Sequence, residues 1–506
     1  MTKPHQPWFV RRPLPESITK IHLIGIAGSG MGAFACMLRK AGYTVRGSDQ
    51  NVYPPMSDIL RDNGIDWFEG WTGSHLDWGP DCVIVGNVCR RDNPEALDAE
   101  VRGIPCVSFP QALCDLFLAQ RIPVVVTGTH GKTTTTALTT FLLHGAGLSP
   151  GMLVGGKAQN FDRSCLIGTK GSPFVVEGDE YDTAYFDKGP KFLHYRPQIA
   201  ILNNIEFDHA DIYDSLDEII ENFDRLMDVL SPTSLLLANA DDPLVLERAE
   251  RHTGRLVTYG FGEQAQLRAI DVQPGRTGCR FTLVRDGDVV GVVDSPLAGR
   301  HNVWNTLAAF GVGFELGVTF EALITVLPGF KGTQRRQEEK GEVGGVLVMD
   351  DYAHHPTAIR ETLNALKYRY PERRIWGVYE PKSNTARRNI HQDAYSSAFD
   401  GADRVLLAKP YAKQDGLEDA NKLDVDQLVA DIKSRGTPAS YRADVNGVLE
   451  TLLEQTQAGD LVVIMANSGF GGLTGKLLSA LSETAHGRSS AQVSRPSGQQ
   501  TVSSRD

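Results

Sequence analysis

The sequence has few of the features that mark secreted, membrane-spanning or nucleic-acid-binding proteins. Its seven cysteines are scattered and show no paired metal-binding spacing, so we expect reduced thiols in a cytosolic protein. No apolar run is long enough to span a bilayer, and no signal peptide is expected at the start. The net charge of −11 disfavours a nucleic-acid backbone as a partner of the whole chain.

The length of the chain and the order of its segments predict several α/β domains. A chain of 506 residues is too long for one hydrophobic core. Apolar runs typical of buried strands alternate with helical segments, which favours mostly parallel, doubly wound sheets. We predict three domains at residues 1–115, 116–332 and 333–487, and a disordered tail at 488–506 that lacks an apolar period. Residues 255–297 are expected to form a small inserted sheet.

The most informative segment is a glycine-rich loop between a valine-rich strand and a helix. Backbone N–H groups of such a loop bind phosphate oxygens, the helix N-terminus adds partial positive charge, and Lys132 adds a full charge. The Thr133 hydroxyl is placed to ligate the Mg²⁺ that accompanies the phosphates. The loop is shorter than the usual P-loop, because Val126 stands where the first glycine is expected. The residues predicted to bind ATP are Gly128, Thr129, His130, Gly131, Lys132, Thr133 and Thr134.

Acidic residues follow two further strands of the second domain. Glu177 closes an apolar strand and begins a segment with four acids, which suits it to hold Mg²⁺ beside the phosphate loop. His209 lies among acids after the next strand, where it serves as a metal ligand, as an orienting group or as an ordinary surface residue. These strand ends therefore predict a metal-binding edge of the sheet.

The first domain carries a second glycine-rich turn. Gly25, Gly28 and Gly30 follow its first strand, and Asp49 ends the second strand about twenty residues later. The spacing is not that of nicotinamide-dependent dehydrogenases, and an oxidoreductase would not need a separate ATP loop. We therefore expect this turn to bind the diphosphate of a nucleotide-sugar, with an NAD-dependent oxidoreductase as the alternative.

Three polar segments of the third domain also lie where strands are predicted to end. Residues 350–356 combine paired acids with paired histidines, residues 380–388 mix hydroxyls, an amide and cations, and residues 467–472 are rich in glycine. We interpret them as ligand loops at one edge of a sheet. Arg335 and Arg336 precede the first strand of this domain and would supply positive charge to a transferring phosphoryl group.

The order of these motifs identifies a family. From about residue 20 to about residue 480 the chain resembles the Mur ligases, ATP-dependent enzymes that form amide bonds in peptidoglycan synthesis. The resemblance implies an α/β protein of three domains: an N-terminal Rossmann-like domain for a UDP-sugar, a central P-loop ATPase-like parallel sheet, and a C-terminal Rossmann-like domain. The motifs that carry it are residues 128–133, 177–180, 204–209, 301–305, 335–336 and 351–356.

The resemblance also implies roles for individual residues, with ATP and Mg²⁺ as cofactors. The residues expected to be catalytic are Lys132, Glu177, His209, Arg336 and His354. The expected magnesium ligands are Thr133, Glu177 and His209. Besides the phosphate loop, the residues expected to contact ATP are Asn302, Asn305, Arg336 and Asp351. The UDP part is expected at Gly28, Ser29, Gly30, Met31 and Asp49, and the acceptor at Lys382, Ser383, Asn384, Thr385, Arg387 and Arg388.

Two branches of this family accept UDP-N-acetylmuramate, and one of them fits better. One branch adds L-alanine, and the other adds the tripeptide L-alanyl-γ-D-glutamyl-meso-diaminopimelate. Residues 181–188 and 380–385 resemble the tripeptide branch, and Tyr181 stands where the L-alanine branch typically has serine.

We therefore expect a cytoplasmic tripeptide ligase of peptidoglycan recycling that works through an acyl phosphate. Its place in cell-wall biogenesis implies a link to cell shape and cell division, and we expect no membrane, nucleic-acid or obligate protein partner. The L-alanine ligase is the alternative. A non-catalytic ATP switch built on the same loop is a third hypothesis.

Overall fold

The chain folds into two compact units, one ending at Gln334 and the other beginning at Arg335. The structure, a computed structural model, describes residues 11–54, 56–410 and 417–493. In these ranges no helix has both the length and the apolar character needed to cross a membrane. The limits of the three domains within these units stay a prediction.

The N-terminal part of the first unit is a doubly wound sheet. Its strands are β1 (Lys20–Ile24), β2 (Thr44–Asp49), β3 (Asp66–Glu69), β4 (Cys82–Val85) and β5 (Cys106–Ser108). Its helices are α1 (Ser29–Lys40), α2 (Met56–Asp62), α3 (Pro94–Val101) and α4 (Phe109–Leu116). The strands lie in the order β3-β2-β1-β4-β5 and pair in parallel. Such sheets bind ligands where the order reverses, beyond the carboxyl ends of β1 and β4, and Gly25 stands at that point.

The rest of the first unit is built on a ten-stranded sheet. Its strands are β6 (Ile122–Thr127), β7 (Gly151–Ala158), β8 (Arg163–Leu166), β9 (Pro173–Glu177), β10 (Ile199–Leu202), β11 (Leu235–Asn239), β12 (Arg255–Gly260), β13 (Leu267–Gly275), β14 (Gly278–Arg285) and β15 (Asp288–Ser295). Its helices are α5 (Lys132–Gly145), α6 (Leu216–Val229), α7 (Pro243–Ala249), α8 (Arg300–Glu315) and α9 (Phe320–Val326). β6 lies between β9 and β10, and all three are parallel. The phosphate loop after β6 therefore shares one sheet edge with Glu177 and with the residues that follow Leu202.

The predicted inserted sheet at residues 255–297 is not separate. β12 pairs in parallel with β11, and β13, β14 and β15 continue the same sheet to its edge. Short alternating β segments look the same in sequence whether they start a new sheet or extend an existing one. Only the hydrogen bonds between β11 and β12 decide between the two.

The second unit contains a six-stranded sheet. Its strands are β16 (Glu338–Val343), β17 (Val346–Asp351), β18 (Arg374–Tyr379), β19 (Arg404–Ala408), β20 (Ala439–Arg442) and β21 (Asp460–Met465). Its helices are α10 (Pro356–Arg369), α11 (Gln392–Ala398), α12 (Val425–Ser434), α13 (Val445–Gln455) and α14 (Leu473–Val493). β17, β21 and β18 are adjacent and parallel, behind the antiparallel edge strand β16. The three polar segments predicted as ligand loops follow these three strands, so they begin at one edge of this sheet.

The last helix runs further than the sequence suggested. α14 ends at Val493, beyond the predicted domain limit at residue 487. Alanine, serine, glutamine and arginine are compatible with a helix, and the next proline is Pro496. Residues 494–506, the rest of the predicted tail, lie outside the described residues.

Candidate active site

The loop after β6 depends on glycine for its shape. Gly131 precedes α5 with φ of +83°, a left-handed conformation that glycine adopts without strain. A Cβ atom there would lie 2.7 Å from Oδ1 of Asn305 and 2.9 Å from Nδ2 of Asn203. Among the described residues no side chain caps α5, so its first N–H groups can meet ligand oxygens. The residues of the predicted phosphate loop, from Gly128 to Thr134, lie in this turn and in the first turn of α5.

Two asparagines after β10 hold the loop from the side. The Thr129 N–H donates to the Asn204 carbonyl at 3.1 Å, and the His130 N–H donates to Oδ1 of Asn204 at 2.7 Å. The side-chain amides of Asn203 and Asn204 donate to the His130 carbonyl at 3.2 and 3.3 Å. The backbone N–H groups of Thr129 and His130 are thus bound by the protein itself in this structure.

Lys132 lies at the start of α5 with its charge turned inward. Its Nζ donates to the carbonyls of Gly128 and Thr129 at 2.7 and 3.2 Å, and to both carboxylate oxygens of Glu180 at 3.1 and 2.9 Å. Burial by itself lowers the pKa of Lys132, but the charges of Glu180 and Asp179 outweigh burial and raise it. The lysine is therefore a fixed cation at the mouth of the phosphate loop.

Glu177 ends β9 beside this lysine and is buried. Its Oε2 accepts a hydrogen bond from the Gly155 N–H at 3.1 Å, whereas its buried Oε1 has no hydrogen-bond partner in the part of the chain that the structure describes. Burial and the nearby charge of Asp179 raise the pKa of Glu177 to about 7, against the opposing effect of Thr133.

A cation fits this place on three grounds. A carboxylate oxygen without a partner among the described residues, a neighbouring Thr133 hydroxyl and a pKa raised by burial and by the charge of Asp179 all favour a divalent ion. The strand that covers the site has glycines there: a Cβ on Gly155 would lie 3.0 Å from Oε2 of Glu177, and one on Gly156 would lie 3.1 Å from Cγ2 of Thr133. Thr133 and Glu177 are thus suited to bind Mg²⁺.

His209 contacts the same carboxylate as Lys132. Its Nε2 lies 2.9 Å from Oε1 of Glu180, and its backbone has φ of +58°. Burial by itself lowers the pKa of His209, but the hydrogen bond and charge of Glu180 raise it above the ordinary value. Burial likewise raises the pKa of Glu180, yet Lys132 and His209 lower it to about 2. In this structure His209 faces Glu180, and its role as a magnesium ligand stays a prediction.

Asn302 and Asn305 connect α8 to the phosphate-loop helix. Oδ1 of Asn305 accepts from the Thr135 hydroxyl at 2.9 Å, and its side-chain amide donates to Oδ1 of Asn302 at 3.0 Å. The Asn302 amide donates in turn to the Ala298 carbonyl at 2.7 Å. Both asparagines are buried and brace α5, and their contact with ATP stays a prediction.

The glycine-rich turn of the first domain is exposed at Gly28 and Ser29 and half-buried at Gly30. Met31 belongs to the hydrophobic core, 8% exposed, so its side chain faces away from the turn's open surface. Oδ2 of Asp49 accepts a hydrogen bond from the Ala27 N–H at 2.9 Å. Asp49 therefore shapes the turn from within.

In the second unit, Asp351 is bound by its own surroundings. Its Oδ2 accepts from the Gln337 N–H at 2.8 Å, and its Oδ1 accepts from the Ala353 N–H at 2.7 Å. The guanidinium of Arg336 lies 4.9 Å from the centre of the Tyr352 ring. Asp351 thus fixes the first residues of this unit, and the contacts of Asp351 and Arg336 with ATP stay a prediction.

His354 follows Asp351 in the loop between β17 and α10. Its carbonyl accepts hydrogen bonds from the hydroxyls of Tyr379 and Tyr395 at 2.9 and 2.7 Å. The two hydroxyls lie 2.9 Å apart, and both tyrosines are fully buried. The backbone of the histidine is therefore held from two directions.

The predicted acceptor residues lie in one loop after β18. Nη2 of Arg387 donates to Oδ1 of Asn384 at 3.1 Å, and Arg387 is only 4% exposed. The Ser383 hydroxyl accepts from the Ala386 N–H at 3.0 Å, and Nζ of Lys382 lies 3.8 Å from Oε1 of Glu380. The loop thus gathers these side chains: Lys382, Ser383, Asn384, Thr385, Arg387 and Arg388.

Three residues at the site were absent from the predicted set. Glu180 and Asn204 appeared only as members of the family motifs 177–180 and 204–209, and Asn203 directly precedes the second motif. Their position at the carboxyl ends of parallel strands was the available signal. Their partners lie far along the chain, as Glu180 does from Lys132, so no local pattern showed the pairing.

Comparison with protein-family models covers most of the chain. Residues 20–121 match the model described as "Mur ligase family, catalytic domain", and residues 126–313 match "Mur ligase middle domain". Residues 335–468 match "Mur ligase, glutamate ligase domain".

Individual relatives extend over nearly the full length. The chain is 37% identical to the UDP-N-acetylmuramate–L-alanyl-gamma-D-glutamyl-meso-2,6-diaminoheptandioate ligase of Escherichia coli (strain K12), over 92% of this chain and 99% of that protein. It is also 37% identical to the UDP-N-acetylmuramate–L-alanine ligase of Arthrobacter sp. (strain FB24), over 82% of this chain and 86% of that protein.

A solved structure shows the same architecture. The crystal structure of a murein peptide ligase from Psychrobacter arcticus 273-4 superposes with a TM-score of 0.69 at 33% identity, covering 92% of this chain and 99% of that one. The predicted three-part α/β architecture is confirmed by these matches. The chain belongs to the Mur ligase family of amide-bond-forming ligases.

Proposed function

We propose that this protein is an ATP-dependent ligase that joins UDP-N-acetylmuramate to the tripeptide L-alanyl-γ-D-glutamyl-meso-diaminopimelate. The observation that carries the proposal is the 37% identity to the Escherichia coli ligase whose name states both substrates, across 99% of that protein. The L-alanine ligase is the second candidate, because the Arthrobacter relative is equally identical over a smaller share of the chain. Segments 181–188 and 380–385 favour the tripeptide.

The chemistry requires an activated carboxylate. An amine cannot displace oxide from a carboxylate, so the lactyl carboxylate of the muramic acid attacks the γ-phosphorus of ATP, and ADP leaves. Two anions approach each other in this step, so positive charge must be present beforehand. Lys132 and Arg336 supply such charge. Thr133 and Glu177, together with His209 as a further candidate ligand, would hold Mg²⁺, which would neutralise phosphate charge.

The second step forms the amide bond. The amine of the tripeptide attacks the acyl carbon, inorganic phosphate leaves, and the nitrogen loses a proton. An α-amino group has an ordinary pKa of about 8, so a useful neutral fraction exists near neutral pH and no strong base is demanded. His354 or His209 assists as the proton acceptor.

The two organic substrates have different requirements. The acceptor carries three carboxylates, which Lys382, Arg387 and Arg388 neutralise while Ser383, Asn384 and Thr385 orient it. The UDP part is bound at the turn formed by Gly28, Ser29, Gly30, Met31 and Asp49, and the adenosine part of ATP at Asn302, Asn305 and Asp351.

This activity places the protein in the cytoplasm, in peptidoglycan recycling and cell-wall growth, and so connects it to cell shape and division.

One assay separates the candidate functions. Purified protein with ATP, Mg²⁺ and UDP-N-acetylmuramate is offered either tripeptide or L-alanine, and released phosphate and ligated product are quantified, the latter by mass spectrometry. We expect kcat/KM for the tripeptide to exceed that for L-alanine by about a hundredfold or more. A preference for L-alanine would assign the protein to the other branch.

The same experiment tests the switch hypothesis. An ATP switch hydrolyses ATP without joining the substrates, so phosphate would appear without a ligated product. The Lys132→Ala variant should bind ATP weakly and form no product. Ligation at the wild-type rate in that variant would contradict the role given to the phosphate loop.

A further inference from the structure

A buried polar cluster lies in the N-terminal sheet of the first unit, away from the phosphate loop. It consists of His22 on β1, Ser48 on β2, Glu95 at the start of α3 and His75, and the first three are fully buried. Glu95 is its centre: Oε2 accepts from the Ser48 hydroxyl and lies 3.1 Å from Nε2 of His22, and Oε1 lies 2.5 Å from Nδ1 of His75. A buried carboxylate is costly unless several donors satisfy it, so this arrangement is specific.

The orientation of His22 follows from its second nitrogen. The indole N–H of Trp78 donates to Nδ1 of His22 at 3.4 Å. An indole N–H is a donor only, so Nδ1 is the acceptor and Nε2 carries the proton that faces Glu95. The histidine therefore acts as a donor to the carboxylate in its neutral form.

The cluster reaches the glycine-rich turn through Ser48. The Ser48 carbonyl accepts hydrogen bonds from the N–H groups of Gly25 at 2.8 Å and Ile26 at 3.1 Å. Its neighbour Asp49 accepts from the Ala27 N–H at 2.9 Å. Three consecutive N–H groups of the turn thus end on two residues at the close of β2. The hydroxyl of Ser48, one of these two residues, donates to the carboxylate of Glu95.

We propose that Glu95 is a positioning residue for the nucleotide diphosphate: it holds Ser48, and Ser48 holds the backbone of the turn in its binding shape. The inference rests on the proposed function, since that supplies the UDP-sugar as ligand. A turn that presents backbone N–H groups to a diphosphate must keep them aligned before the ligand arrives. A shift of Ser48 moves Gly25 and Ile26 with it and displaces the residues that follow, so the N–H groups of Ser29 and Gly30 at the start of α1 lose their alignment with the diphosphate.

Glu95→Gln and Ser48→Ala in the full chain test this role. Gln111→Ala is the matched control, because Gln111 is a buried polar residue on α4 whose amide donates to the Arg12 carbonyl rather than to a residue of the turn. Binding of UDP-N-acetylmuramate and of UDP alone is measured by calorimetry, KM and kcat are measured for all three substrates, and thermal unfolding is followed. Glu95→Gln should weaken UDP-N-acetylmuramate binding about tenfold and Ser48→Ala about threefold, with KM for ATP within about twofold of wild type.

The outcomes separate the inference from the proposed function. Gln111→Ala should lower the unfolding temperature while leaving UDP-N-acetylmuramate binding unchanged. A purely stabilising role for Glu95 predicts the same for Glu95→Gln and Ser48→Ala, and that result overturns the inference. If Glu95→Gln does not fold, Ser48→Ala decides alone, since it leaves Glu95 with His22 and His75. Wild-type protein that binds neither UDP-N-acetylmuramate nor UDP would overturn the proposed function instead.

Discussion

Nζ of Lys132 lies 2.9 Å from Oε2 and 3.1 Å from Oε1 of Glu180, so the cation of the phosphate loop is paired inside the protein. The two side chains are only 11% and 4% exposed. A lysine that turns to a phosphate gives up this pair, and Glu180 then retains His209 at 2.9 Å. Under the proposed function, nucleotide phosphate and Glu180 therefore compete for one cation.

Glu180→Gln should destabilise the protein strongly. The substitution leaves the buried charge of Lys132 without its main counter-ion, and breaking a buried pair from one side costs about 3–5 kcal/mol. Denaturant unfolding near neutral pH measures this loss. The control is Asp162→Asn, which breaks the exposed pair with Lys157 and should leave the free energy of unfolding unchanged within error. Equal stability of both variants would contradict the importance of the buried pair.

Mg²⁺ binding should depend on pH through Glu177. The pKa of this carboxyl is raised from 4.5 to about 7, so near neutral pH part of the metal-free protein holds a proton there. A cation binds only the ionised form, so its affinity rises with pH through 7, about tenfold per unit below the pKa, and levels off above it. Calorimetric titration of the protein with Mg²⁺ in the presence of ATP, at about pH 6 and about pH 8, measures this change in affinity.

The raised pKa of Glu177 also makes the stability of the protein depend on pH. The folded protein holds this proton more tightly than the unfolded chain, so the contribution of Glu177 to stability falls as pH rises from 4.5 to about 7 without metal. Added Mg²⁺ should restore stability most at the upper end of that range. Glu177→Gln should show neither dependence. A wild-type protein whose Mg²⁺ affinity is flat between these pH values would contradict the raised pKa.

Gly131→Ala should impair ATP use, and Gly147→Ala should not. Both glycines have left-handed φ angles, +83° and +88°, so an alanine is strained at either place. A Cβ at Gly131 also approaches Asn305 to 2.7 Å, whereas one at Gly147 meets nothing within 4 Å. We expect KM for ATP to rise at least about tenfold in Gly131→Ala only. Comparable KM values for the two variants would show that backbone strain alone explains the effect.

Removing both tyrosine hydroxyls that donate to the His354 carbonyl should lower the free energy of unfolding more than removing either one. Tyr379→Phe and Tyr395→Phe each leave one donor to that carbonyl, and the double variant removes both. We expect the free energy of unfolding to fall by about 1–3 kcal/mol in the double variant. We also expect a coupling energy between the two sites, since the two hydroxyls contact each other. Unfolding of the four proteins in a double-mutant cycle measures it. Tyr368→Phe, at a side chain 61% exposed, is the control. Strictly additive losses would argue against a shared role.

Local patterns sufficed for much of the fold and for part of the site. The sequence predicted strand ends before the phosphate loop, at Glu177 and before the ligand loops of the second unit. The prediction was possible because an apolar run followed by glycines or acids is typical of the end of a buried strand. The sequence-based prediction of a separate inserted sheet at residues 255–297 was wrong, because β12 to β15 extend the central sheet. The deciding hydrogen bonds join β12 to β11, which lies outside the local pattern of that segment.

The amino-acid sequence alone determined the family, the α/β class and the position of Lys132 and Glu177, because each depends on neighbours within a few residues. Tertiary structure alone decided that Lys132 is paired with Glu180, that Asn204 occupies two N–H groups of the phosphate loop, and that Glu95 supports Ser48. These partners are at least 47 residues apart. Their hydrogen bonds form only when separate strands are brought side by side, and burial from water then makes each charge depend on its partner.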